Sequence, residues 1–375
     1  MQKGDAHRAA DLYKQIAATG RADASIWLGL ATACGKSGDD ATKIEAIDKV
    51  LALDPTNIQA LILKGDHYLG AGDSRAAVSF YKAALKRVSP RDKFPPAIIA
   101  ELRRAQQACE DYAKQYEAHL LSALTAHGFD PERSAARFAQ CIDLMLGKKN
   151  IYYQQPQHFY YPELPQIQFY DRGMFPWLDA IEAATDEIRA ELIEILQMPE
   201  TFSPYVESYQ NRPNIDASGL TGNTDWSAFF LCKNGQILPE HATRCPKTME
   251  ALKDAPLDRI PGRTPSILFS QLRPGTKIPP HTGMLNTRLI CHLPLIVPEK
   301  CGFRVGNQTR EWVEGKAWLF DDTIEHEAWN GSDKLRVVLI FDVWRPELSE
   351  DERRLVTAMI EAIDAYSGQK QLWRE

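Results

Sequence analysis

Several things are missing from this 375-residue chain, and each absence narrows what it can be. No apolar run approaches the ~18–20 residues that a membrane span needs. Basic residues are not in excess: 44 Lys and Arg stand against 50 Asp and Glu, a formal charge of −6. Composition therefore gives no reason to expect a nucleic-acid partner. The first residues, MQKGDAHRAADLYK, lack the basic-then-apolar order of a secretory signal. The seven cysteines are odd in number and show no CxxC spacing, which speaks against a disulfide framework and a zinc ribbon. The expectation is a reduced, cytoplasmic protein with neither nucleic acid nor membrane among its partners. What is present is ordinary for folded domains, with 44% apolar and 25% charged residues. At roughly 150 residues per domain the length suggests two or three of them.

The front of the chain repeats. Gly-Asp recurs at Gly4-Asp5, Gly38-Asp39 and Gly72-Asp73, 34 residues apart each time. Each pair precedes a helical pattern in register, with Tyr13, Ile47 and Tyr81 equivalent, then Ile16, Val50 and Ala84. Pro55 and Pro90 each close a unit. This 34-residue helix–turn–helix resembles the tetratricopeptide repeat over about residues 1–90, although Lys43 occupies a usually small position. Residues 97–146 still read as helix and are expected to cap the repeats. The array is either a structural spacer or a concave face for a protein partner.

After residue 148 the texture changes. Residues 151–177 form a Tyr/Phe/Pro-rich stretch, IYYQQPQHFYYPELPQIQFYDRGMFPW, that four prolines keep from being a regular helix. A single helix is expected over 177–197. Then come short strand-like runs at 227–232, 266–272, 287–295, 302–305, 317–320, 325–329 and 335–343, divided by turn residues. Many short antiparallel strands suggest a jelly-roll sandwich or barrel. A last helix near 349–366 opens with Ser349 and Glu352, a capping box. The fold class is thus multidomain α + β: a tetratricopeptide-like α-solenoid over residues 1–147, then a β domain over 148–375.

Of nine histidines, His7, His67, His119 and His127 lie in the helical half, and His158 and His241 in irregular segments. His281, His292 and His326 fall among the strands. A two-histidine-one-carboxylate iron site wants His at i, an acid at i+2 on the same strand face, and a second His later. His281 and His326 fit the histidines, but the acid position is Gly283. Spacing alone therefore leaves an unrelated pair of histidines as the simpler reading. If the turn around Gly331 makes a hairpin, Arg336 would face His326.

The words around the pair say more. The stretches LRPGTKIPPHTGMLNTRLICHLPLIVP (272–298), EGKAWLFDDTIEHEAWN (314–330) and LRVVLIFDVWRPEL (335–348) closely resemble the aspartyl/asparaginyl β-hydroxylase family. Asp225-Trp226-Ser227 and Cys245-Pro246-Lys247-Thr248 are weaker agreements. The resemblance implies a double-stranded β-helix, the jelly roll, that uses Fe(II), 2-oxoglutarate and O2, and in animal members comes after tetratricopeptide repeats. It implies His281 and His326 as the iron ligands, with Gly283 where the animal enzymes also lack a carboxylate. Asp322 matches an acid near the metal, Arg336 and Ser270 match the residues that hold the distal carboxylate of 2-oxoglutarate, and His292 matches a polar residue at its other end. Two positions depart from the pattern. Ile290 replaces an arginine on the co-substrate, for which Arg288 is the expected substitute. Leu268 replaces a lysine that grips the substrate's acid, a role that Arg212 or Arg244 could take.

The function expected is a dioxygenase hydroxylating an amino-acid side chain in a peptide, protein or small molecule. The alternative is a repeat-based interaction scaffold with a degraded β domain. Hydroxylation of a lipid acyl chain is set aside for want of a membrane helix.

Overall fold

In the computed structural model, which describes residues 3–89, 91, 93–198, 201–206 and 219–367, the second and third Gly-Asp pairs each end one helix and start the next. Gly38 adopts φ 84°, a left-handed conformation that a side chain would strain, and its N–H bonds back to the Cys34 carbonyl. Asp39 and Asp73 then cap the succeeding helices by accepting the Thr42 and Ala76 N–H groups. The first pair, Gly4-Asp5, lies in the first turn of a helix instead. The first unit, Met1–Lys148, is α1 Lys3–Ala18, α2 Ala24–Ser37, α3 Asp40–Leu53, α4 Ile58–Gly70, α5 Ser74–Leu85, α6 Pro96–Ala126 and α7 Ala136–Met145. Pro90, expected to close the third unit, lies outside the described residues.

Close approach of these helices depends on small residues. A Cβ added to Gly65 on α4 would stand 2.5 Å from the Tyr81 ring on α5. That ring cannot swing aside freely, because its hydroxyl donates to Asp66 at 2.6 Å. Lys43, at its unusually large position, pairs with Asp40 and lays its aliphatic stem against Gly35.

The second unit, Lys149–Glu375, begins with the aromatic stretch and then α8 Leu178–Ala183 and α9 Thr185–Leu196. The single helix expected over 177–197 is broken at Ala184. There the Thr185 hydroxyl bonds the Glu182 carbonyl, a local bond that competes with the helix ladder. Next come β1 Ser203–Pro204, β2 Trp226–Lys233, β3 Gln236–Ile237, α10 Pro239–Ala242, α11 Pro246–Ala251, β4 Ile267–Leu272, β5 Lys277–His281, β6 Arg288–Ile296, β7 Cys301–Val305, β8 Gln308–Arg310, β9 Trp318–Phe320, β10 His326–Asn330, β11 Arg336–Trp344 and α12 Glu350–Ser367. One antiparallel sheet runs β1-β2-β4-β11-β6-β9, with β3 on β2; the other runs β5-β10-β7-β8. The seven expected strands are all present. Strand β5 is a new one, obscured in the sequence by Pro279-Pro280, which a sheet tolerates here because β5 is an edge.

Alternation sorts the side chains of the larger sheet. Phe269, Leu289, Cys291, Leu293, Leu339, Phe341 and Val343 face α8 and α9, where Leu178, Ile188 and Leu192 meet them in one buried core. Their neighbours face the smaller sheet: Leu272, Ile290, Val338 and Phe320 pack there against Ile278, Phe303, Val305 and Ala328. The unit is a two-sheet antiparallel sandwich of jelly-roll type with a helical layer outside. The aromatic stretch is pinned by a wholly buried ion pair: Arg345 bonds Asp321 at 3.0 Å, the Pro165 and Asn286 carbonyls and the Tyr170 hydroxyl. Asp321 also accepts from Gln154 and Thr323. The capping box forms as expected, with Ser349 and Glu352 each accepting the other's N–H.

These contacts can be tested by stability measurements. Gly65→Ala should destabilise the first unit by about 1–3 kcal/mol, the usual cost of overpacking. A urea melt of this variant that coincides with the parent's would contradict the close α4–α5 approach. A second test concerns Asp258, whose carboxyl is wholly buried and is pushed up to about 8 by desolvation and by the neighbouring Asp342. Its folded value lies above the unfolded ~3.9, so the folded state holds the extra proton between about pH 4 and 8 and loses stability as pH rises through that window. Asp258→Asn should therefore gain on the parent from pH 5 to pH 8, by at most ~1.4 kcal/mol per pH unit. A difference in denaturation midpoint that stays constant with pH would refute this.

Candidate functional site

Strands β5 and β10 pair so that His281 and His326 stand opposite one another. Their rings lie 4.1 Å apart, centroid to centroid, at 53°. Each Nδ1 meets a backbone carbonyl, Pro279 at 2.8 Å for His281 and Ile324 at 3.1 Å for His326. A carbonyl only accepts, so Nδ1 carries the proton and Nε2 keeps its lone pair in the neutral ring. Neutral rings are what the surroundings favour. Desolvation lowers the pKa of His281, and desolvation together with the His281 ring takes His326 well below the usual range.

Asp322 reaches the same place from the β9–β10 loop. A Cβ on Gly283 would fall 2.0 Å from Asp322 Oδ2, so the carboxyl fills the space that a side chain at 283 would take. The Gly283 N–H also bonds the Asp322 carbonyl at 2.7 Å. Asp322 Oδ2 accepts from Arg288 Nη2 at 3.2 Å, while Oδ1 is buried without a hydrogen-bond partner. Burial pushes this carboxyl up to about 7, against the pull of Arg288. Among the described residues no group of three or more His, Cys, Asp or Glu could hold a metal ion. The donors offered are therefore two neutral imidazoles beside an under-bonded carboxyl, a set that suits a borderline divalent ion such as Fe(II).

On the larger sheet the inward row carries the other polar residues. Arg336 begins β11, is only 2% exposed, and has no acidic partner among the described residues. Its guanidinium lies over the Trp312 ring at 4.7 Å, Nη1 donates to the Ser270 carbonyl at 3.3 Å, and Nε is unpartnered. Desolvation drops its pKa to about 10, the mark of a buried cation lacking an anion. Ser270 lies on β4 beside it and accepts from Trp226 Nε1 at 3.2 Å. His292 accepts from Trp312 Nε1 at 3.4 Å through Nδ1, so its Nε2 carries the proton. Burial first, then Arg336, keeps this ring neutral.

Two aromatic residues join the halves of the site. Trp226 contacts Ser270 and stands 6.3 Å from the His281 ring, and Phe320 lies 4.9 Å from His292 and 5.4 Å from His326. Sequence reasoning missed Trp312 and Asp342. Asp342 was legible as the next polar residue in the β11 row 336, 338, 340, 342; Trp312 lies outside any strand and carried no such signal.

Three expectations need correction. Arg336 does not face His326 across a hairpin, because β10 and β11 belong to different sheets. Arg288 does not replace the arginine missing at Ile290. It pairs with Trp344, eight residues along β11 from Arg336, which is about 26 Å at ~3.3 Å per residue, and both its Nη atoms are on carboxylates, Asp342 and Asp322. Arg244 sits over Phe229 and against Met198, on the helix side of the sheet rather than the inward side. Arg212 lies outside the described residues. Leu268 itself is buried in a small apolar cluster with Ala228, Phe230, Tyr205, Leu238 and Ile340.

The chain is 39% identical over 189 residues to the ornithine lipid ester-linked acyl 2-hydroxylase of Rhizobium tropici, covering 50% of this chain and 63% of that one. It is 40% identical over 136 residues to the human aspartyl/asparaginyl β-hydroxylase, covering 36% and 18%. It is 30% identical over 207 residues to the human aspartate β-hydroxylase domain-containing protein 2, covering 54% and 53%. The chain thus spans under two thirds of each of these relatives. A Schizosaccharomyces pombe cupin domain is a more distant likeness, at 6% identity and TM-score 0.22 over 39% of this chain and 74% of that one. The model of the aspartyl/asparaginyl β-hydroxylases matches residues 182–346, the stretch that holds every residue of the site.

Proposed function

We propose that the second unit is an Fe(II)- and 2-oxoglutarate-dependent dioxygenase that hydroxylates an aliphatic C–H bond. The observation that carries this reading is Arg336. A guanidinium buried without an anion is costly, and a dicarboxylate seated against it would remove that cost. Ser270 beside it offers a hydroxyl to the same carboxylate, and the Nε2–H of His292 offers a donor further along the inward row. His281 and His326 would hold the iron through Nε2, with Asp322 next to the metal to orient a water or the co-substrate. When bound, the metal with 2-oxoglutarate and O2 supplies the oxidation, one oxygen atom going into the C–H bond and the other into succinate with loss of CO2. The protein's own work is placement: Arg336 and Ser270 anchor one end of the co-substrate, and the apolar wall of Trp226, Phe303 and Phe320 keeps bulk water from the reacting atoms.

The substrate reading turns on Leu268. The described side chains clustered around Leu268 are apolar, and among them an unpaired substrate carboxylate would lose its hydration without return, a cost of several kcal/mol. The group placed there is aliphatic. It belongs to a side chain of a peptide, protein or small molecule, or to an acyl chain like that named for the Rhizobium tropici relative. The missing membrane helix, which first set the acyl reading aside, says nothing about this wall. The helical hairpins of the first unit fit tetratricopeptide repeats and, on this proposal, present a protein partner or substrate.

Purified protein given Fe(II), O2 and 2-oxoglutarate should form succinate, and more of it with a matched substrate. Arg336→Ala should weaken 2-oxoglutarate use by about 2–5 kcal/mol, some thirtyfold or more in KM. Ser270→Ala should cost on the order of 1 kcal/mol. Unchanged 2-oxoglutarate kinetics in both variants would remove the co-substrate assignment. Mass spectrometry for a gain of one oxygen should find peptides that offer Asp or Asn poorly hydroxylated at those residues; efficient hydroxylation there would overturn the reading of Leu268.

A further inference from the structure

Asp342 is buried at the inward end of β11 and takes no part in the site as assigned above. Its Oδ2 accepts the Ser266 N–H at 2.9 Å and Arg288 Nη1, also at 2.9 Å. The other Nη of the same guanidinium reaches Asp322 Oδ2 at 3.2 Å. The fork of Arg288 is therefore fastened at one tip to a carboxylate fixed in the larger sheet. Its other tip reaches a carboxylate on the loop four residues before His326. That second carboxyl occupies the space over Gly283, two residues after His281. A run of charge-assisted bonds thus leads from the backbone N–H just before β4 to the acid that lies over Gly283, four residues before His326.

A guanidinium is planar and rigid, so fixing one Nη fixes the position and direction of the other. Asp322 on its own is poorly held in place: its Oδ1 has no hydrogen-bond partner, and it sits on a loop rather than in a strand. From this geometry we infer that Asp342 is a positioning residue. Acting through Arg288, it sets the Asp322 carboxylate over Gly283, two residues after His281, and so restores in space the acid that the chain lacks there. The inference rests on the proposed metal site. It adds to that reading a residue on the other sheet, which reaches the metal ligands only through Arg288 and Asp322.

The test uses Co(II), an optical stand-in for Fe(II), titrated into the full chain and followed by its visible absorption. Parent protein should bind one Co(II), and His281→Ala should abolish it. Asp342→Asn keeps size and shape but removes the charge. It should weaken Co(II) binding about tenfold or more, as loss of an outer partner of a metal site does, with the KM for 2-oxoglutarate unchanged because Arg336 and Ser270 are untouched. In an Asp322→Asn background the same change should have no further effect on Co(II) affinity, since the residue through which it acts is already neutral. Arg288→Lys keeps the charge but loses the fork, and should reproduce the loss should Asp342→Asn fold poorly. Parent-like Co(II) affinity in folded Asp342→Asn or Arg288→Lys, or a loss that simply adds in the double variant, would overturn the role of Asp342 while leaving the metal site standing. A parent that binds no Co(II), or binds it equally with His281→Ala, would overturn the metal site and this role together.

Discussion

The packing of one face of the larger sheet onto α8 and α9 is the contact on which the site depends. Leu289, Cys291 and Leu293 on β6, and Leu339, Phe341 and Val343 on β11, are buried there against Leu178, Ile188 and Leu192. A strand has a side-chain period of two, so burying that row obliges its alternates, Arg288, Ile290, His292, Arg336, Ile340 and Asp342, to face the smaller sheet. A slip of one residue would exchange the rows. It would place two arginines and an aspartate against helices with nothing to pair them. The apolar row is what makes the polar row reliable.

Three buried arginines are treated in three ways, and the contrast separates structure from function. Arg345 has its charge met by Asp321 and also bonds two carbonyls and a tyrosine hydroxyl, and it fastens the aromatic stretch to the sandwich. Arg288 lies between two carboxylates and joins the sheet to the β9–β10 loop. Arg336 has no carboxylate among the described residues and rests on an indole ring. A buried ion pair is weak evidence of function, because its charges are already satisfied. A buried cation without a counter-charge is a candidate for binding an anionic ligand. The adjacent acids Asp321 and Asp322 divide in the same manner. The first is saturated by Arg345, Gln154 and Thr323, and the second keeps one oxygen unbonded next to the histidines.

Much of this was legible in the sequence because it is periodic or local. The 34-residue recurrence of Gly-Asp located the turns between α2 and α3 and between α4 and α5, since glycine alone takes the left-handed conformation there without strain and aspartate caps the next helix. Alternation and turn residues located seven strands to within one or two residues, and Ser349 with Glu352 located the start of α12. The family resemblance supplied the candidates His281, His326, Arg336, Ser270 and His292, which spacing could not have selected from nine histidines. Single-element patterning failed where another element intervened. The bond from Thr185 to the Glu182 carbonyl split a helix that periodicity reads as continuous, and an edge position let Pro279-Pro280 remain in a strand.

Only the tertiary structure decided which residues meet. Sequence placed Arg336 ten residues after His326 and suggested a hairpin; pairing placed them in different sheets. Sequence offered Arg288 as a co-substrate residue because it is a cation near Ile290; register put it at the far end of β11, between Asp342 and Asp322. Sequence showed that Gly283 lacks a carboxylate, and only the fold brought Asp322 into the space left there. The reason is the same in each case. Side-chain periodicity fixes the face on which a residue lies, whereas its partner is fixed by strand order and register, which arise from contacts dozens of residues apart.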